Sequence, residues 1–135
     1  MQNMERPIKF RVWYQGKMIY KSLHDLLIDS ASNFMFLSEK IMQFTGVVTD
    51  TISTEEESFL KIVNDDIYEG DIVQVSLYRN GSESWTTQTI LFKDGAFCFH
   101  DKVNNETYSL FDFSRKDLSV IGNIYEHPEL LNIQA

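Results

Sequence analysis

The chain of 135 residues contains one cysteine, Cys98, two prolines and six glycines, and it has no long apolar run. A single cysteine excludes a disulfide framework within the chain and favours a reducing compartment. The first residues contain no apolar run that could serve as a signal peptide, and no stretch approaches the roughly 18 apolar residues of a membrane span. We therefore expect a cytoplasmic protein with no membrane partner.

The sequence also lacks the short motifs that mark common catalytic and metal sites, such as GxSxG, the P-loop, GxGxxG and HExxH. The three histidines, His24, His100 and His127, fall in different predicted elements, so local spacing offers no zinc site. Cys98 and His100 share one strand face without an activating neighbour, and Cys98 is expected to be a small buried hydrophobic residue. We predict no catalytic residue, no metal site and no cofactor.

Positive charge is scarce, because 12 Lys and Arg face 20 Asp and Glu, which gives a net charge of −8. Lys and Arg supply the main attraction to nucleic-acid backbones, so an acidic chain is poorly suited to that role. The thin cluster of Arg6, Lys9, Arg11 and Lys17 is interpreted as a solvated strand face. Nucleic-acid binding stays open as an alternative, either directly through a barrel or through acidic mimicry of DNA.

The amino-terminal region is rich in segments that alternate. In residues 8–14, IKFRVWY, period-two alternation predicts a half-buried strand with Ile8, Phe10 and Val12 toward the core and Trp13 on the opposite face. Further strands are predicted at 18–20, 33–37 and 41–46, and Ser22 is expected to cap a short helix.

Residues 47–66 are irregular and read as an insertion into a β framework. Ser53 with Glu56, or Thr54 with Glu57, forms a capping-box pattern, which predicts a short helix over 54–64.

The second half of the chain reads as a meander of short strands. Asn80-Gly81, Lys93-Asp94-Gly95 and Asn104-Asn105 are turn signals, and Pro128 suits the first turn of a short helix. Strands are expected at 71–79, 85–92, 96–100, 106–111 and 118–125. Many short strands joined by tight turns favour a small barrel or a sandwich.

The segment IYEGDIV at 67–73 has a structural and a functional interpretation. Gly70 fits a tight turn that opens the barrel, and Asp71 can accept hydrogen bonds from nearby backbone amides. Asp65, Asp66, Glu69 and Asp71 also bring four carboxylates within seven residues, and hard cations prefer oxygen ligands. Their spacing does not match an EF-hand loop, so a metal-dependent hydrolase is the least supported alternative.

The segment GNIYEHPELL at 122–131 is expected to close the barrel. Gly122 within a strand suggests a bulge or a close backbone approach. Leu130 and Leu131 either seal the open end of the barrel or form an apolar patch for a partner. Together with the outward aromatic rings they complete the set of candidate surface contacts, which are Trp13, Tyr68, Tyr125, Leu130 and Leu131.

These segments, taken in order, resemble the YopX family of phage and prophage proteins. The resemblance rests on IKFRVWY, KMIY, IMQFTG, IYEGDIV and VIGNIYEHPELL, and it spans nearly the whole chain. Two features depart from the family pattern: Tyr14 follows Trp13 where an acidic residue is usual, and the link between TG and YEGD is longer. The resemblance implies an SH3-like β-barrel core with an amino-terminal extension and an origin in a mobile element of a bacterial host. It implies no reaction.

We therefore expect a mainly β, SH3-like small barrel with an amino-terminal strand and helix extension and a short carboxyl-terminal helical turn. Residues 1–135 form a single domain, with the extension at 1–46, the insertion at 47–66 and the barrel core at 67–131. The expected role is that of a non-enzymatic protein-interaction module in the bacterial cytoplasm. It is expected to form a homo-oligomer and to bind a host or phage protein.

Overall fold

The computed structural model describes residues 8–25, 40–53, 61–79 and 81–132. Within these ranges the chain forms short strands, a helical segment at 23–25 and three 3-10 turns, at Leu110–Asp112, Arg115–Asp117 and Pro128–Asn132. The strands are β1 Lys9–Tyr14, β2 Lys17–Ser22, β3 Lys40–Val48, β4 Thr51–Ser53, β5 Lys61–Val63, β6 Asp66–Tyr68, β7 Asp71–Arg79, β8 Ser82–Thr89, β9 Leu91–Lys93, β10 Ala96–Asp101, β11 Glu106–Ser109 and β12 Leu118–Asn123. No helix among the described residues has the length and apolar character needed to cross a membrane.

The amino-terminal sheet has the strand order β2-β1-β3-β6. Its first hairpin turns at Gln15 and Gly16, which both have positive φ and so match the twist of the flanking strands. β1 also pairs antiparallel with β3, so β1 is an interior strand. Both edges of β1 are therefore hydrogen-bonded, and the adjacent residues Arg11 and Val12, whose side chains point to opposite faces, are both buried.

The predicted core face of β1 is partly wrong. Val12 is fully buried as expected, but Ile8 is 54% exposed and Arg11 is 3% exposed. Ile8 precedes the first paired residue of the strand. Arg11 is buried because it has an anionic partner inside the protein, which alternation within one segment cannot reveal.

The second half forms a curled sheet, as the predicted meander requires. β7 lies between β12 and β8, while β10 lies between β11 and β9. β8 and β9 are consecutive and are interrupted at Ile90, whose N–H donates to the Asp71 carbonyl at 2.9 Å and whose carbonyl accepts from Gly70 N–H at 2.8 Å. At this point the chain changes pairing partner and the sheet curls into a half-barrel. The mainly β fold is confirmed, and the SH3-like strand order is consistent with this curl.

The main core lies inside the curled sheet. It contains nine buried side chains, namely Ile67, Val73, Val75, Leu77, Ile90, Phe97, Phe99, Leu110 and Leu118. The Phe99 ring stacks on Tyr108 with 5.4 Å between centroids and also contacts Phe113 at 5.3 Å. Cys98 is 5% exposed, which agrees with its prediction as a small buried hydrophobic residue.

The turn chemistry predicted for the meander is confirmed where the structure describes it. Asp94 and Gly95 both have positive φ and join β9 to β10, Gly81 has φ 82°, and Asn105 has φ 55°. The strand predicted at 106–111 ends at Ser109. There the chain enters the 3-10 turn Leu110–Asp112, whose Phe111 N–H donates to Ser109 Oγ.

The helix predicted over 54–64 is wrong at its carboxyl end. Residues 61–63 form β5, which pairs antiparallel with β4, and residues 54–60 lie outside the described part. Ile62 and Val63 are β-branched residues that favour extended backbone, and a neighbouring strand is present to pair with them. The strand predicted at 33–37 lies outside the described residues. The Ser22 cap is confirmed, since Asp25 N–H donates to Ser22 Oγ at 3.1 Å.

The carboxyl-terminal corner is packed around Gly122. The β12–β7 register shifts between Val120 and Gly122, and a Cβ at Gly122 would lie 2.7 Å from His127 Nδ1. His127 Nδ1 accepts a hydrogen bond from Asn123 N–H at 3.2 Å, while His127 N–H donates to the Asn123 carbonyl at 2.9 Å. The predicted bulge and close approach at Gly122 are therefore confirmed.

We expect Gly122→Ala to lower the free energy of unfolding by about 1–3 kcal/mol, because the added methyl group overlaps the His127 ring. Urea unfolding of the single variants and of Gly122→Ala/His127→Gly forms a double-mutant cycle. In the His127→Gly background the cost of Gly122→Ala should largely disappear. An unchanged cost in that background would show that the His127 contact is not its source.

Candidate functional site

The YEGD turn at residues 68–71 surrounds the guanidinium of Arg11. Arg11 Nη2 lies 2.8 Å from Asp71 Oδ1, and both side chains are 3% exposed. Arg11 Nη2 also donates to the Glu69 carbonyl at 3.1 Å, and the guanidinium carbon lies 4.7 Å from the centre of the Tyr68 ring. Asp71 Oδ2 accepts the Tyr68 N–H at 2.7 Å, as the sequence predicted for this carboxylate. The turn therefore forms a cage for a cation that β1 supplies.

The backbone of the same turn joins three further parts of the fold. Glu69 N–H donates to the Gln43 carbonyl at 3.0 Å, and the Gly70 carbonyl accepts from Ile124 N–H at 3.0 Å. Gly70 and Asp71 supply the two bonds to Ile90 described above. Gly70 has φ 88°, and a Cβ there would lie 2.9 Å from Met42 Sδ, so this position requires glycine. The predicted tight turn is confirmed and links both sheets.

Burial of the Arg11–Asp71 pair costs free energy, because both charged groups lose contact with water. Desolvation raises the pKa of the Asp71 carboxyl from 3.8 to about 6, and it outweighs Arg11 and the Tyr68 N–H, which both lower that pKa. Arg11 Nε is buried and has no hydrogen-bond partner among the described residues. The sequence interpretation of Arg11 as part of a solvated face is therefore wrong.

The predicted acid cluster is divided between two cations. Asp66 Oδ2 lies 2.7 Å from Lys9 Nζ at a half-exposed position, while Asp71 faces Arg11. In the described part of the chain, no group of three His, Cys, Asp or Glu side chains is placed to hold a metal ion. A polar cleft of about 340 Å³ remains beside the pair, lined by Tyr20, Asp65 and Asn123 among others. The acids predicted as a cluster are therefore not gathered around one point in this part of the chain.

The structure separates Tyr68 from the other candidate surface residues. Tyr68 is 5% exposed, and its ring contacts those of Tyr20 and Phe44 as well as Arg11. Burial, followed by the charge of Asp66, raises the pKa of its phenol. The expectation that Tyr68 points outward is wrong, because the cation cage needs its ring.

Two of the predicted surface residues come together. Trp13 and Tyr125 stack with 5.5 Å between ring centroids and 17° between planes, and both are half-buried. The stack joins β1 to the segment after β12. Leu130 is half-buried and Leu131 is 39% exposed on the Pro128–Asn132 turn, so this turn both covers and presents apolar surface.

A groove that the sequence did not predict runs along β3. Three adjoining cavities of about 340, 440 and 350 Å³ contain Ile41, Gln43 and Val47 of β3, respectively. Phe92 lines the first and second cavities, and Phe111 lines the second and third. We call this surface the β3 groove and define it by these five residues.

The β3 groove presents large rings to solvent. Phe92 is 52% exposed, Phe111 is 51% exposed, and Leu91 beside Phe92 is 40% exposed. Tyr125 lines the first cavity, so the Trp13–Tyr125 stack lies at that end. A sequence signal for the groove exists in Leu91-Phe92, two adjacent apolar residues before the Asp94-Gly95 turn. The sequence analysis predicted a return strand over 85–92 without saying which of its residues are exposed.

The buried pair predicts a large effect of Arg11→Met. The variant leaves the Asp71 carboxylate buried without its cation, so we expect a loss of about 3–5 kcal/mol in the free energy of unfolding at neutral pH. Arg11→Met/Asp71→Asn is the matched control, because the amide oxygen still accepts the Tyr68 N–H. Denaturant unfolding should show that the double variant recovers most of the loss. A single variant as stable as the wild type would contradict the assignment.

The Asp71 pKa also predicts a pH dependence. The native protein holds a proton between the ordinary pKa of 3.8 and the raised pKa of about 6, where the unfolded chain has released it. The resulting stability is fully present below the lower value and is lost as pH rises through the higher one. The free energy of unfolding of the wild type minus that of Asp71→Asn should therefore fall by about 2 kcal/mol between about pH 4 and pH 7. Urea titrations across this range measure the difference, and a constant difference would refute the prediction.

Comparison with known proteins agrees with the geometry. The family model described as YopX protein matches residues 9–132. The crystal structure of protein EF1440 from Enterococcus faecalis is similar in fold, with a TM-score of 0.52 and 21% sequence identity over 94% of this chain and 99% of that chain. A search of curated proteins gave no match. The match includes the Arg11 strand, the YEGD turn and the Gly122 corner. Because it covers nearly the whole chain, the chain belongs to the YopX family.

Proposed function

We propose that this protein is a non-enzymatic protein-interaction module that self-associates, in the manner of a phage or prophage accessory protein in the bacterial cytoplasm. The observation that carries the proposal is the β3 groove. Exposed apolar patches that join several cavities are typical of protein–protein contact surfaces. Buried aromatic anchors commonly supply most of the binding free energy at such surfaces.

The chemistry of the other cleft supports a structural role. Its most buried charged groups, Arg11 and Asp71, are paired with each other, and Asp66 is paired with Lys9. The two ion pairs tie β1 to β6 and to the start of β7. They leave these carboxylates engaged in the fold and poorly suited to act as nucleophile or general base.

Nucleic-acid binding is a weaker candidate. Tyr78 and Trp85 are 71% and 52% exposed on the β7–β8 hairpin, where they occupy diagonal positions of one face. Exposed rings can stack on bases. However, Glu83 lies opposite Tyr78 on the same face, and the net charge of −8 opposes binding to phosphate.

The proposal predicts an oligomer that depends on Phe92. We expect the wild type to sediment as a concentration-dependent oligomer at micromolar protein, and Phe92→Glu to raise the dissociation constant at least about tenfold, because a charge would have to be buried in an apolar contact. Val103→Glu is the matched control, since Val103 is 72% exposed and does not line the groove. A wild type that stays monomeric over the whole concentration range would overturn self-association.

A further inference from the structure

The two ends of the β3 groove carry opposite charges. Glu69 lines the first cavity, next to Ile41, and Arg115 lines the third cavity, next to Val47 and Val48. Ile41 and Val48 are seven residues apart on one strand, which corresponds to roughly 23 Å. The middle of the groove has the exposed rings of Phe92 and Phe111 beside the uncharged side chain of Gln43. The surface is therefore polarised along β3.

The cationic end is fixed in position. Arg115 Nε donates to the Val48 carbonyl at 2.6 Å, while the residue as a whole is exposed. Asp50 N–H also donates to the Arg115 carbonyl at 3.0 Å, which ties its backbone to the segment after β3. An arginine held in this way presents its guanidinium to a partner with little loss of side-chain freedom on binding.

The anionic end is available for the same kind of contact. The Glu69 carbonyl accepts from Arg11, whereas among the described residues the Glu69 side chain makes one long hydrogen bond, in which Oε1 accepts from Gln43 N–H at 3.5 Å. The charge of Glu69 also raises the pKa of the Tyr125 phenol, after the larger effect of burial. Glu69 therefore places negative charge at the end of the groove that contains the Trp13–Tyr125 stack.

A surface with oppositely charged ends and an uncharged middle that carries exposed rings is complementary to a copy of itself turned through two-fold symmetry. In such a contact the same patch of both protomers meets in opposite directions. Every contact between two different residues of the two protomers therefore occurs twice, once in each direction. The reversed orientation brings unlike ends together, whereas a parallel orientation brings like charges together. Charge complementarity therefore favours one occupant, a second copy in the reversed direction.

We propose that the β3 groove binds a second copy of this chain about a two-fold axis, with Arg115 of each protomer facing Glu69 of the other and the Phe92 and Phe111 rings buried between them. This inference rests on the self-association proposed above, and it adds which surface each protomer uses and in which direction the two surfaces meet. The two charged contacts set the direction of the pair, and the rings supply most of the binding free energy.

The decisive experiment exchanges the charges. Glu69→Arg alone and Arg115→Glu alone should each raise the dissociation constant of self-association, measured by sedimentation, at least about tenfold. The reason is that each variant brings like charges together at both symmetry-related contacts of the pair. An equimolar mixture of the two variants should associate with near wild-type affinity, since every contact between unlike chains is again a pair of opposite charges. The double variant Glu69→Arg/Arg115→Glu should also associate with near wild-type affinity, because its two contacts again pair opposite charges.

Matched controls separate pairing from net charge and folding. Lys116→Glu and Glu106→Arg make the same changes of charge at exposed positions that do not line the groove and should leave the dissociation constant within about twofold. Circular dichroism checks that each variant is folded. If a charge variant does not fold, Arg115→Lys gives a second measurement, in which carbodiimide should couple Glu69 to the introduced amine between isotope-labelled and unlabelled chains.

The outcomes distinguish the two proposals. A wild type that associates while the mixture does not recover, or controls that weaken association equally, would overturn this orientation and leave self-association intact. Coupling only within one chain would overturn it as well. A monomeric wild type would overturn both.

Discussion

The fold depends on one buried ion pair, in which Arg11 of the amino-terminal sheet meets Asp71 at the start of the curled sheet. Their charged atoms lie 2.8 Å apart with almost no access to solvent. Replacing water around two ions is expensive, and the pair does not recover the full cost, as the raised pKa of Asp71 shows. The pair ties β1 of the first sheet to the YEGD turn, which the hydrogen bond from Glu69 N–H to the Gln43 carbonyl also joins to β3.

The YEGD turn and the Gly122 corner act together around this pair. Gly70 bonds to Ile90 on one side and Ile124 on the other, so the point where the curled sheet changes partner is also the point where its last strand ends. Gly122 allows His127 to pack against the backbone, and Tyr125 then reaches Trp13. The motifs that identify the family are thus the parts that hold two sheets together.

The sequence predicted the features that depend on neighbouring residues, such as turns, and missed the contacts between residues far apart along the chain. The meander and its turns could be predicted because Asp94-Gly95 has a backbone preference that does not depend on the rest of the chain. Arg11 could not be placed, since alternation describes one strand and says nothing about an anion far along the sequence. Of the surface candidates, Trp13 and Tyr125 meet and Tyr68 is buried. The β3 groove was missed because Phe92 and Phe111 belong to segments that come together only in the folded chain.

The distance in sequence between the two members of the cage has a consequence for the order of folding. Glu69, whose carbonyl binds the Arg11 guanidinium, follows Arg11 by 58 residues. On the ribosome, β1, β2 and β3 are therefore made well before Asp71, the group that neutralises Arg11, and contacts of such separation are slow to form. Arg11 stays hydrated in the nascent chain until the YEGD turn is made. Completion of the first sheet, whose strand β6 directly precedes the YEGD turn, therefore waits until the middle of the chain has been made.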